Sequence, residues 1–240
     1  LAIALSWLVL ISNIRKIAVL QMNILVIGSR RDEQECREKF GLVHIYILAT
    51  NHADATIGLA TADVIFDFTV SDDATYLKVF ERPLKAGIFL NTSFTTLAVQ
   101  LHKSKIESSN LFVGFCGLPT FLDRPLLELS LRSRLDEMAL KQVCANLKTE
   151  FVLVDDRVGL VTPRVICMII NEAYYTVQEG TATREDVDLA MKLGTNYPFG
   201  PFEWCEKIGI KNVYNLLSAL HEDTKDERYK ICALLKKGNT

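Results

Sequence analysis

Met22-Asn23-Ile24-Leu25-Val26-Ile27-Gly28-Ser29-Arg30-Arg31-Asp32-Glu33 is the stretch on which the fold turns. Ile24 to Ile27 is a short apolar run closed by Gly28. It reads as a strand buried on both faces, since a half-exposed strand would alternate apolar with polar residues. The charged run from Asp32 to Phe40 then suits a helix. Apolar runs recur at His44 to Leu48, Asp63 to Phe68, Gly87 to Leu90, Leu111 to Phe115 and Phe151 to Val154. Helical patterns fall between them at Asp72 to Phe80 and at Arg132 to Leu147, where Leu135, Met138, Ala139 and Val143 share helical spacing. Strands alternating with helices predict an α/β fold on a parallel sheet with right-handed connections.

Beyond Asp155-Asp156 the pattern changes. Arg164 to Glu179 predicts a long helix ending at Gly180, a residue suited to closing one. Thr183-Arg184-Glu185-Asp186 resembles a capping box and starts another. Tyr197-Pro198-Phe199-Gly200-Pro201-Phe202 predicts a rigid turn before short helices around Trp204 and Val213 to Leu220. The expected organisation is an extension over 1–21, an α/β unit over 22–155 and an all-α unit over 156–240.

Composition narrows the function. The 240 residues are 49 % hydrophobic and 23 % charged, which excludes a disordered chain, a collagen or a disulfide miniprotein. Lys+Arg number 27 against 29 Asp+Glu, so no basic excess displaces counterions and no nucleic-acid partner is expected. Cys36, Cys116, Cys144, Cys167, Cys205 and Cys232 form no C-x-x-C pair and no zinc-spaced Cys/His cluster, so no metal is expected. Their spread through apolar runs fits reduced thiols in a cytoplasmic protein. Leu1 to Ile11 is strongly apolar but shorter than the roughly 20 residues of a membrane span. Arg15 and Lys16 follow this run, whereas a signal core is preceded by its basic residues. Met22 directly precedes the first strand, so residues 1–21 are expected to be an upstream extension, with no membrane partner.

Val158-Gly159-Leu160-Val161-Thr162-Pro163-Arg164, Asn171-Glu172-Ala173, Glu179-Gly180, Asp186-Val187-Asp188, Ala190-Met191-Lys192-Leu193-Gly194 and Tyr197-Pro198-Phe199-Gly200-Pro201-Phe202-Glu203 stand in a telling order and spacing. Together they resemble the helical C-terminal domain of the 3-hydroxyacyl-CoA dehydrogenases, of the 3-hydroxybutyryl-CoA dehydrogenase type. Upstream, Ala62 to Asp67, Asn91-Thr92-Ser93 and Leu126-Leu127-Glu128 resemble that family's mid-domain strand, its Asn-Thr-Ser turn and the strand bearing its catalytic Glu. The resemblance implies a Rossmann-like NAD-binding domain, here truncated, and a helical domain that forms a homodimer. It places an acyl-CoA in the cleft between them. The implied reaction is hydride exchange between C3 of a 3-hydroxyacyl-CoA and NAD, in fatty-acid metabolism. In it a His–Glu pair handles the alcohol proton while Ser and Asn side chains orient the substrate oxygen.

Carried over position by position, the catalytic set falls on Ser93, Cys116 and Glu128. Ser93 and Glu128 match; the family's His, twelve residues before the Glu, is Cys116 here. The two substrate-orienting Asn positions become Pro119 and Pro163. The cofactor-binding positions fall on Gly28, Ser29 and Arg30. A dinucleotide loop uses three glycines so that backbone can touch the diphosphate at a helix N-terminus. Here Arg30 and Glu33 replace the second and third. Arg30 is expected to intrude on the ligand and Glu33 to crowd the helix–sheet contact. The ribose-binding acid, expected about 20 residues after the loop, falls near Leu48 to Asn51, with Asp54 the nearest carboxylate. Gly28 to Ala62 spans 34 positions, about half of what the family spends there, so the helical excursion that helps hold the CoA nucleotide is expected to be missing.

Three readings stand side by side: a dehydrogenase with weakened or lost hydride transfer, a non-catalytic acyl-CoA-binding or scaffold relative, and an enzyme of another class with Cys116 as nucleophile. A thiol titrates near 8.5, and Glu128 beside it would raise that value. Cys116 is therefore expected to be a poor acid or base at neutral pH, filling the space of a lost imidazole. Glu128 either faces the cleft or re-pairs with Arg124 or Arg132. Tyr174, Tyr175, Phe202 and Trp204 exceed what a small helical lobe easily buries, pointing to a homodimer or to packing against the α/β half. His44, His52, His102 and His221 lie off the motifs and are expected to be surface or structural residues.

Overall fold

Seven strands form one sheet in the computed structural model, which describes residues 21–69 and 74–239. They are β1 Asn23–Ile27, β2 Ile45–Ala49, β3 Val64–Asp67, β4 Gly87–Asn91, β5 Phe112–Phe115, β6 Leu126–Leu131 and β7 Glu150–Leu153, in the order β2-β1-β3-β4-β5-β6-β7. β1 to β5 are parallel throughout, as the apolar runs predict. The sheet departs from a purely parallel one at β6, which pairs antiparallel with β5, while β7 is parallel to β6. The reason is the connection. Residues 116–125 carry no helix, and a parallel return needs a crossover of about a dozen residues or more.

The strands alternate sides as pleating requires. Ile24 and Val26 enter one core with Cys36 and Phe40 of α1 (Arg30–Phe40). Leu25 and Ile27 enter the other with Ala55 of α2 (His52–Ala55) and with Leu97 and Leu101 of α3 (Leu97–Ser104). α1 and α2 lie on opposite faces because the chain reverses: β1 to β2 steps outward, and β2 to β3 steps back past β1. Right-handed crossovers in opposite directions cover opposite faces. That reversal point is where open α/β sheets place ligands, at the carboxyl ends of the strands.

Several sequence expectations need correction. α2, α3 and the terminal helix Ala233–Gly238 were not anticipated. Residues 74–80 form 3-10 turns rather than an α-helix, and the start of the helix expected from Asp72 lies outside the described residues, as does the extension over 1–20. The helix expected from Arg132 begins as 3-10 turns at Arg134–Asp136 and becomes α4 at Glu137–Asn146. Leu135 and Met138 do not face the core: they are 92 % and 75 % exposed, and Leu140, Cys144 and Leu147 form the buried stripe instead.

The remaining helices are α5 Thr162–Gln178, α6 Arg184–Thr195, α7 Pro201–Ile208, α8 Ile210–Thr224 and α9 Ala233–Gly238. Tyr174, Phe202 and Trp204 are buried among them in a single core, with the Tyr174 and Phe202 rings 4.9 Å apart. Arg184 lies over both of these rings. The aromatic excess is thus absorbed within the chain and does not itself call for a second copy. All six cysteines are free and buried. Among the described residues, no helix is long and apolar enough to cross a membrane.

Candidate active site

The register of the sheet assembles the site. Ile27 lies beside Asp67, Asn91 beside Phe115, and Phe115 beside Leu129. The loops after β1, β3, β4 and β5 and the start of β6 therefore meet along one edge, and Ser93, Cys116 and Glu128 converge although they are far apart in sequence.

Ser93 is buried and donates to Asn91 Oδ1 at 2.6 Å; its Oγ also lies 3.4 Å from Cys116 Sγ. A hydroxyl has one proton, so the shorter contact takes it. Asn91 is held at both ends of its amide: its Oδ1 also accepts from the Ser93 and Gly117 amides, and its Nδ2 donates to the Phe68 carbonyl. This hub ties the ends of β3, β4 and β5 together. Burial pushes the Cys116 thiol up to about 12. The Ser93 contact and the Leu118 amide pull the other way, and Glu128 adds a smaller upward push. The expected direction holds, but desolvation rather than Glu128 is its main cause.

Glu128 follows neither expected arrangement in full. It lines a cavity, yet its carboxylate pairs with neither Arg124 nor Arg132. It accepts instead from the Val161 amide at 3.0 Å, the Thr162 amide at 2.9 and 3.0 Å, and the Thr162 hydroxyl. α5 has no side-chain cap of its own and carries Pro163 in its first turn. Glu128 supplies the cap from another element, where a carboxylate meets the positive end of the helix. Arg124 donates instead to the Thr120 carbonyl, and Arg132 to that of Ser108. The cavity, of about 370 Å³, is walled by Cys116, Phe121, Arg124, Leu126, Glu128 and Pro163, among others.

The loop after β1 is closed on itself. The Asp32 carboxylate accepts from the Ser29 amide at 2.7 Å and from the Ser29 hydroxyl at 2.8 Å. The Asp32 amide points back to Ser29 Oγ, which completes a capping box. A Cβ at Gly28 would lie 2.6 Å from Asp32 Oδ2, so the close approach that this glycine permits is used by the chain's own carboxylate. Arg30 is exposed. Glu33 does not crowd the sheet; it pairs with Arg37 at 2.6 Å along α1. Past the end of β2, Asp54 serves as the partner of Thr50 and Asn51 at the start of α2. His52 reaches across the end of β1 to buried Asp67 at 2.6 Å, with Tyr76 packed on its ring. His52 therefore has a structural role.

Comparison with known proteins settles the ancestry. Residues 159–239 match the model of the 3-hydroxyacyl-CoA dehydrogenase C-terminal domain. The chain is similar to the mitochondrial hydroxyacyl-coenzyme A dehydrogenase of Mus musculus, at 32 % identity over 176 residues, covering 70 % of this chain and 56 % of that protein. This chain belongs to the 3-hydroxyacyl-CoA dehydrogenase family. A 3-hydroxybutyryl-CoA dehydrogenase of Bradyrhizobium diazoefficiens is 27 % identical over 185 residues, 75 % of this chain and 63 % of its own length. The chain thus spans less than two thirds of either relative. The crystal structure of (S)-3-hydroxybutyryl-CoA dehydrogenase from Ralstonia eutropha shares the fold, with a TM-score of 0.69 at 18 % identity over 90 % of this chain and 93 % of that one.

For this dehydrogenase-family chain, the family resemblance implies NAD. The residues at the β1–α1 loop do not fit its diphosphate: the Ser29 and Asp32 amides are engaged, and the Asp32 carboxylate puts negative charge beside them. The residues that follow Ala49 at the end of β2, Thr50 and Asn51, are not acidic, and the nearby Asp54 carboxylate is held by their side chains. The roles of Asp32, His52, Asp67 and Thr162 were missed from sequence. Only the first had a signal, since Ser29-Arg30-Arg31-Asp32 has capping-box spacing.

Proposed function

We propose that this chain is a 3-hydroxyacyl-CoA dehydrogenase relative that keeps an acyl-ligand cavity while hydride transfer to NAD is weakened or lost. The observation that carries the reading is Asp32, whose carboxylate takes the hydrogen bonds a bound diphosphate would need. Cys116 adds support. A neutral thiol at about 12 stands where the family has an imidazole, and it takes no useful part in proton transfer near neutrality. The retained cavity beside Cys116 and Glu128 favours acyl-CoA binding without turnover over a bare scaffold. A nucleophilic role for Cys116 is disfavoured by the same burial.

Calorimetric titration of NADH, together with NADH oxidation assayed on acetoacetyl-CoA, tests the reading. It expects no saturable NADH binding and no turnover; saturable binding with turnover overturns it. We further propose a homodimer through the helical unit, supported by Val161, Val165, Leu189 and Leu193, which lie on α5, α6 or the residue before α5 and are 50–79 % exposed. Sedimentation equilibrium tests this, and a monomer at micromolar concentration rejects it. A boundary at residues 155–156 is proposed for the two units. The free thiols support a cytoplasmic setting.

A further inference from the structure

The cavity beside β6 holds one charge whose partner is missing. Of its titratable walls, Glu128 is committed to the start of α5 and Cys116 is neutral. Arg124 is different. Its Nε donates to the Thr120 carbonyl at 3.2 Å, and its guanidinium lies 4.5 Å over the Phe121 ring. Its backbone carbonyl is taken by Lys39. Among the described residues, no carboxylate reaches salt-bridge distance of the guanidinium, and its two Nη groups make no hydrogen bond. Glu128 is near enough to be felt as a favourable charge without pairing.

A guanidinium has five donors in a rigid plane, and here Nε and the ring face hold that plane in place. Thr120 itself sits at φ +74°, an unfavourable conformation for a β-branched residue, in the loop whose carbonyl orients Arg124. The group is half-buried, and desolvation disfavours its charge. An oriented, partly desolvated and unpaired cation on the wall of a largely apolar cavity suits a planar anion that takes two parallel hydrogen bonds. The remaining walls, such as Phe115, Leu122 and Leu126, suit a hydrocarbon chain. The cavity, at about 370 Å³, is at the small end of ligand pockets.

We propose that this cavity binds a short apolar chain ending in a carboxylate, with Arg124 as the anchor of the carboxylate. The proposal deepens the acyl-cavity reading above and rests on it, but it does not depend on whether NAD binds.

The test uses the full chain and three probes: hexanoate, its uncharged analogue hexanamide, and inorganic phosphate, each titrated by ligand-observed NMR. Hexanoate is expected to bind at least tenfold more tightly than hexanamide. Arg124→Met should erase that difference, and Arg124→Lys should restore part of it. Circular dichroism and Tm report whether each variant folds, and hexanamide binding to Arg124→Met reports whether its cavity is intact. Equal binding of hexanoate and hexanamide to the native chain overturns the proposal, as does tighter binding of phosphate than of hexanoate. Binding of none of the probes also overturns it, and the NADH titration of the same sample is scored separately for the acyl-cavity reading's claim about hydride transfer.

Discussion

The carboxylate of Asp32 lies 2.7 Å from the amide nitrogen of Ser29, inside the first turn of α1, so the anion at this helix N-terminus belongs to the chain itself. In a dinucleotide site that position serves the ligand. Here one side chain satisfies the local helix end and competes with any diphosphate.

Removing the carboxylate should cost stability without creating a nucleotide site. Asp32→Ala is expected to lower unfolding free energy by about 0.3–1 kcal/mol, the range for a negative charge in a helix's first turn, since Ser29 remains as the N-cap. NADH binding should still be absent, because Arg30 and Glu33 continue to replace two glycines. Urea unfolding and calorimetry check the two halves separately. A micromolar NADH site in this variant would show that Asp32 alone was the obstacle.

Restoring the family's imidazole should not restore the reaction. Cys116→His is expected to show no NADH oxidation with acetoacetyl-CoA. The larger ring must also fit where Ser93 Oγ lies 3.4 Å from the sulfur in a buried pocket. Measurable turnover by this variant would show that the missing glycines do not block the reaction.

Glu128 should behave as a cap before it behaves as a catalytic acid. Glu128→Ala leaves the Val161 and Thr162 amides without their acceptor. A loss of about 1–3 kcal/mol is expected for donors left unmet. Native-state hydrogen exchange should localise the effect to the first turn of α5. Unchanged stability and exchange would remove Glu128 from this role.

The buried thiols set an alkaline limit. Burial raises Cys36, Cys116, Cys144, Cys167 and Cys205 above the ordinary thiol value, with Cys116 and Cys144 each at about 12. Above roughly pH 8.5 the unfolded chain loses these protons while the native chain keeps them. The native state then binds more protons than the unfolded state, so stability is complete below that pH and falls as pH rises toward 12. The slope is up to about 1.4 kcal/mol per pH unit for each thiol. Urea midpoints at a series of pH values check this, and a flat profile to pH 10 would contradict it. Iodoacetamide should likewise label native Cys116 slowly at neutral pH and unfolded Cys116 quickly.

The α/β alternation and the all-α second half were legible because they rest on local pattern. A buried strand must be apolar throughout, and Ile24 to Ile27 is; a helix must repeat its apolar face, and Arg164 to Glu179 does. The family resemblance pointed to Ser93 and Glu128 by matched motifs and to Cys116 by its distance from Glu128, and the sheet brings these three together. Leu135 and Met138 show where local pattern misleads. Their spacing is helical, but Leu135 lies in 3-10 turns and Met138 in the first turn of α4, and both side chains are exposed.

What sequence determined by itself was therefore the class of fold, the ancestry, and which family positions have changed. What only the tertiary structure decided was what each of these side chains meets: Glu128 the start of α5, Asp67 the ring of His52, Tyr174 the ring of Phe202, and Arg124 no carboxylate among the described residues. The physical reason is range. Strand and helix preferences act over a few neighbouring residues, whereas hydrogen bonds and burial depend on groups that lie tens of positions apart until the chain has folded.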